Sequence, residues 1–234
     1  MPSPADPRLI CALDVPTRAE AEALVARLGD AVGFYKVGLE LLATGGMDLA
    51  RALKADGRQV FLDWKLHDIG ETVRRAAAAI TGAGADLLTV HAEPQVMAAA
   101  VKGRDGAATK ILGVTVLTSL TEADLAAMGY GLGVRDLVEK RIRQALDCDI
   151  DGVVASPQEA SLARRLASEA GRPDFLVVTP GLRPSWAAKN DQARAATPAD
   201  ALRDGASHLV VGRPITAAPD PREAALKIVA EMAG

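Results

Sequence analysis

Asp63, Lys65 and Asp68 stand close together in the run FLDWKLHDIGETV, residues 61–73. A β-strand sends successive side chains to opposite faces, so Asp63 and Lys65 share one face and Trp64 takes the other. Asp68 falls beyond the strand and before the next helix, where it is free to turn back toward the same space. Charges of alternating sign gathered in one small volume are candidates for acid–base chemistry. The plainer alternative is an ion pair closing off the end of a strand.

Further groups fall at the ends of other apolar runs. Asp14 closes the first, Lys36 lies in the second, His91 closes the fourth, and Thr118 and Ser119 follow the fifth. Burying isolated charges costs several kcal/mol each, so the alternation Lys36, Asp63, Lys65, Asp68 is a way of holding four charges near one another. The last two runs are followed by TPGLRP (179–184) and VGRPI (211–215). There the bare amide of Gly212 and the guanidinium of Arg213 are placed to hold a phosphate, as loops after the seventh and eighth strands of an α/β barrel often do.

Such groups meet only if a scaffold gathers them. Eight short apolar runs, at 9–14, 33–37, 59–63, 87–91, 111–116, 152–155, 176–179 and 208–212, alternate with helical patterns. Thr17 with Glu20, Ser156 with Glu159, Thr197 with Asp200 and Asp220 with Glu223 are helix-start signatures, and Pro157, Pro198 and Pro221 suit first helical positions. Apolar residues at three- and four-residue spacing predict helices over 17–28 and 158–170. Eight strand–helix pairs in 234 residues predict an α/β fold, a TIM (β/α)8 barrel forming a single domain over 1–234 and close to the typical ~250 residues. An open doubly wound sheet uses the same alternation and is the lesser expectation. The long irregular stretches, 117–133 and 180–196, follow strands at the end where a barrel keeps its active-site loops.

Composition narrows the function. The net charge is −3, charges of both signs are dispersed, and the aromatic residues are three Phe, two Tyr and two Trp. Neither a nucleic-acid groove nor a stacking platform is expected. Cys11 and Cys148 lack disulfide or metal-ligand spacing and read as packing residues of a reducing compartment. The N-terminal residues show no signal-peptide pattern and no run is long enough to span a bilayer, so a cytoplasmic protein without membrane attachment is expected.

Taken in order and spacing, Asp14 in ALD, Lys36 in YKVG, the FLDWKLHDIGETV run, VLTS, TPGLRP and VGRPI resemble orotidine 5'-phosphate decarboxylase along nearly the whole chain. That resemblance implies a homodimeric barrel that converts orotidine 5'-monophosphate to uridine 5'-monophosphate with no metal and no organic cofactor. It makes Lys65 the acid that protonates the pyrimidine carbon vacated by carbon dioxide, sets Asp63 beside the substrate carboxylate, and has Lys36 link the charges to the ribose. It assigns Asp14 to the ribose hydroxyls, Thr118 to the pyrimidine edge and Pro180 to the pocket wall. Arg183, Gln192, Gly212 and Arg213 would hold the phosphate. Asp68, with Ile69 and Thr72, would enter the site of the neighbouring subunit.

Two departures stand out. Gly70 occupies a position where the family commonly has proline, which would loosen the loop presenting Asp68, and DQAR (191–194) replaces a more basic version of its loop. His67 and His91 are read as structural, since Lys65 already supplies a proton, and His208 and Trp64 as packing. The rival enzyme is a metal-dependent lyase of the same wider group acting on keto-sugar phosphates, but Lys36 stands where that chemistry wants an acidic metal ligand. A Schiff-base aldolase would want a lysine in apolar surroundings. A catalytically silent nucleotide-binding protein has no use for all four charges.

Overall fold

The computed structural model describes residues 5–186 and 196–234. Eight parallel strands close into a barrel in chain order: β1 (Leu9–Ala12), β2 (Phe34–Val37), β3 (Gln59–Leu66), β4 (Leu87–His91), β5 (Lys110–Val114), β6 (Gly152–Val154), β7 (Leu176–Thr179) and β8 (His208–Val211). Leu9, Ile10 and Cys11 of β1 pair with Leu209, Val210 and Val211 of β8, which removes both sheet edges. The (β/α)8 barrel is therefore the fold, and the open doubly wound sheet is excluded.

Alternation along the strands makes two apolar shells. Ile10, Ala12, Phe34, Phe61, Leu87, Leu112, Val178 and Val210 point inward and fill the barrel. Cys11, Tyr35, Leu62, Trp64, Leu88 and Val177 belong to the outer shell under the helices. Trp64 is thus core, as expected. Burial pushes the Cys11 thiol up to about 12, which suits an inert packing residue. His208 packs edge-on against Phe34, with ring centroids 5.9 Å apart.

The expected caps form. Thr17 closes a capping box with Glu20 ahead of helix Arg18–Leu28, and Thr197 and Asp220 accept from the amides of Asp200 and Glu223. Ser156 and Glu159 also form a box, but Pro157–Glu159 is a 3-10 turn and the α-helix runs Ala160–Glu169. Two expectations need correction. β3 does not stop at Asp63 but continues to Leu66, past an irregularity between Leu62 and Leu66. The stretch 117–133 is not irregular throughout: it holds helix Glu122–Ala127, started by a capping box of Thr121 and Asp124.

The two ends of the barrel differ in kind. At the N-terminal end, Asp86 accepts from Lys54 and the Val60 amide, while Asp151 pairs with Arg104 and Lys110 and accepts from the Ile111 amide. These carboxylates tie neighbouring strand starts together. The C-terminal end is open and carries the loops.

Candidate active site

A cavity of about 290 Å3 opens at the C-terminal end of the strands. Ala12 and Asp14 of the first strand region, Lys36 of β2, Phe61, Asp63 and Lys65 of β3, Val114 of β5, Val154 of β6 and Val210 of β8 all line it. Among the described residues, its charges come from β2, β3 and the segment just after β1. The far wall, built from Val114, Val116, Leu117, Val154, Ala155 and Pro180, is apolar.

The charges form a connected chain. Buried Lys36 donates from Nζ to Asp14 Oδ1 at 2.9 Å and lies 3.5 Å from Asp63 Oδ2. Lys65 Nζ donates to Asp63 Oδ1 at 2.8 Å. Burial raises the proton affinity of the Asp63 carboxyl, but the Lys36 and Lys65 ammoniums, with hydrogen bonds from Lys65 and Thr89, outweigh it and hold the group below the usual carboxylate range. Asp14 is the exposed end of this chain, at the rim. Fixed cations beside a carboxylate, opposite an apolar wall, suit a reaction that loses negative charge from one group and needs a proton at another.

Lys65 owes its position to a break in the strand pattern. Its φ is +46°, the left-handed region that a non-glycine residue adopts only when its surroundings impose it. Leu62 pairs with Leu88, yet the next register pair is Leu66 with Val90, so three residues of β3 lie opposite Thr89 alone. Asp63 and Lys65 do share the cavity, as expected, but through this bulge and not through simple alternation.

The remaining expected site residues divide into four groups. Thr118, Pro180 and Gly212 line the cavity, and Thr118 and Pro180 also border an adjoining space of about 600 Å3 toward the β5–β6 loops. Arg213 is exposed at the start of the short helix Arg213–Thr216, directly after Gly212, and the Arg183 amide donates to the Ala196 carbonyl at 3.1 Å. Gln192, with the rest of DQAR, lies outside the described residues. Asp68, Ile69 and Thr72 are exposed and absent from the cavity lining of their own chain. The convergence of Asp68 with Asp63 and Lys65 therefore does not occur within one chain; Asp68 instead accepts from the Ile69 amide at 2.7 Å.

Other contributors escaped the sequence. A Cβ on Gly38 would come within 3.0 Å of Lys36 Nζ and 3.3 Å of Asp14 Oδ1, so the bare glycine leaves room for their contact. Thr89 is fully buried and touches both Asp63 and Lys65. Buried Arg141 ties the loop after β5 together by donating to the Thr115 carbonyl, to Glu93 at 3.0 Å and to the Tyr130 hydroxyl at 3.0 Å. Only Gly38 left a signal, in the YKVG motif. His67 and His91 pack against each other, ring centroids 4.9 Å apart, with His67 Nε2 3.6 Å from Glu93 Oε2. Neither lines the cavity.

Comparison with known proteins shows the family. Residues 7–228 match the model of the orotidine 5'-phosphate decarboxylase / HUMPS family. The chain is 70% identical over 230 residues to an orotidine 5'-phosphate decarboxylase of Caulobacter vibrioides (strain NA1000 / CB15N), covering 98% of this chain and 99% of the relative. It is 55% identical over 226 residues to one from Rhodopseudomonas palustris (strain ATCC BAA-98 / CGA009), covering 97% and 94%. The crystal structure of an orotidine 5'-phosphate decarboxylase from Lactobacillus acidophilus superposes with a TM-score of 0.84 at 35% identity, covering 98% of this chain and all of that one.

Proposed function

The chain belongs to the orotidine 5'-phosphate decarboxylase / HUMPS family, and from that membership we propose that it converts orotidine 5'-monophosphate to uridine 5'-monophosphate, the last step of de novo UMP synthesis, without metal or organic cofactor. The observation that carries this reading is the contact chain Asp14–Lys36–Asp63–Lys65 facing an apolar wall.

In the proposed reaction the bond between the pyrimidine ring and its carboxylate breaks, the electron pair stays on the ring carbon, and neutral carbon dioxide leaves toward the apolar side. The Lys65 ammonium gives its proton to that carbon and recovers one from water. Its charge also stabilises the developing carbanion, the type of fixed electrostatic support that counts most in a dry site. Asp63 lies beside the substrate carboxylate and orients Lys65. Lys36 and Asp14 take the ribose hydroxyls, Thr118 the pyrimidine edge, and Pro180 packs on the ring. Arg183, Gln192, Gly212 and Arg213 hold the phosphate, so that binding energy far from the reacting carbon organises it.

The site is completed by a second copy of the chain, which supplies Asp68, Ile69 and Thr72. In support, Asp68 is unused in its own cavity, and Leu39, Leu42 and Ile69 leave large apolar surfaces exposed on the segments after β2 and β3. Lys36, placed between two carboxylates, occupies the ground a divalent cation would need, which argues against the keto-sugar-phosphate lyase.

Adding the purified protein to orotidine 5'-monophosphate in excess chelator tests the reading. Loss of substrate absorbance with formation of uridine 5'-monophosphate is expected; a folded protein that leaves the substrate intact refutes it.

A further inference from the structure

We propose that Thr89 is a positioning residue for this reaction: its hydroxyl locks the β3 bulge and fixes how Asp63 and Lys65 face the cavity. The inference rests on the roles proposed for those two residues. Thr89 sits at an inward position of β4, is fully shielded from solvent, and does not line the cavity, so it acts through its neighbours and not on the substrate.

The bulge explains why a hydroxyl is needed. With residues 63–65 set against Thr89 alone, the Lys65 amide is displaced from the β3–β4 ladder. The Thr89 hydroxyl accepts from that amide at 3.0 Å and donates its single proton to Asp63 Oδ1 at 2.9 Å. One side chain therefore holds the backbone of Lys65, kept at a φ of +46°, and the carboxylate of Asp63. Asp63 Oδ1 receives Thr89 and Lys65 Nζ, which leaves Oδ2 turned toward Lys36 Nζ. Without the hydroxyl, the carboxylate is free to rotate and the part-buried Lys65 amide loses its acceptor. Displacements on that scale at a reacting group are costly to rate.

The test compares Thr89→Val, which keeps the shape and removes the hydroxyl, with Thr89→Ser, which keeps the hydroxyl. Both are measured beside the unaltered protein and Lys65→Ala for kcat, KM, affinity for uridine 5'-monophosphate and thermal midpoint. Thr89→Val is expected to lower kcat about 10- to 100-fold with KM and product affinity nearly unchanged, and Thr89→Ser to restore most of the rate. A valine protein that melts earlier but keeps its kcat overturns the proposal, as does a rate loss that serine does not repair. If the valine protein does not fold, Thr89→Ala carries the same expectations without a methyl beside the carboxylate. Inactivity of the unaltered protein, or full activity of Lys65→Ala, strikes the decarboxylase reading itself; full activity of Thr89→Val beside an inactive Lys65→Ala strikes Thr89 alone.

Discussion

Lys36 meets carboxylates on two sides, at 2.9 Å and 3.5 Å, while it is almost entirely buried. An ammonium in that position is tolerable only because the carboxylates compensate it, and Asp63 stays ionised only because ammoniums surround it. This mutual dependence has a measurable sign. Asp63 has a folded-state proton affinity below its usual 3.8, so it contributes stability above that value which is lost as pH falls through the depressed folded one. Lys36→Met removes one cause of the depression and leaves burial in place. The 13C titration of the Asp63 carboxyl should then move to higher pH, and an unmoved midpoint would show that Lys36 does not hold the carboxylate. Asp14, Lys36, Asp63 and Lys65 were legible from residue type and spacing. Thr89 was not: a threonine inside an apolar strand reads as an ordinary β-former, and its partners lie 24 and 26 residues away in the chain, joined only by strand pairing.

At the level of elements, Asp63 and Lys65 share the cavity as strand alternation predicts, but β3 brings them there through a bulge that no local pattern announced. The four capping signals read from the sequence, at Thr17, Ser156, Thr197 and Asp220, all stand at helix starts, although Ser156 opens a 3-10 turn. The Thr121–Asp124 box carried the same signal inside a stretch read as irregular, because helix Glu122–Ala127 is too short to show an apolar period. Gly70 proves to be the first residue of helix Gly70–Thr81, not a member of a loose loop, and its backbone is outside the left-handed region. An added Cβ would meet only the Ala99 methyl, at an ordinary 3.8 Å. Gly70→Ala should therefore stabilise the fold by about 0.4–1 kcal/mol through the unfolded chain. A lowered denaturation midpoint would mean that the helix start needs glycine for a reason the backbone does not reveal.

The whole molecule separates its tasks by end and by side. Ion pairs on Asp86 and Asp151 bind the strand starts at one end, and the opposite end sets three charged strands against an apolar wall. Length and the count of eight runs made the barrel legible, since eight strand–helix units in a chain of this size favour closure over an open sheet. The surface proposed for a second copy was not legible from periodicity, because exposed Leu39, Leu42 and Ile69 look like any other apolar residues until the fold leaves them outside. The proposed site takes Lys65 from one chain and Asp68 from the other, and the decisive measurement is the activity of inactive Lys65→Ala protein mixed with an equal amount of inactive Asp68→Ala protein. In a mixed dimer one site combines an intact Lys65 with an intact Asp68 while the other lacks both, so random pairing should recover about a quarter of the unaltered activity. No recovery once mixed dimers have formed, or full turnover by Lys65→Ala alone, would contradict it.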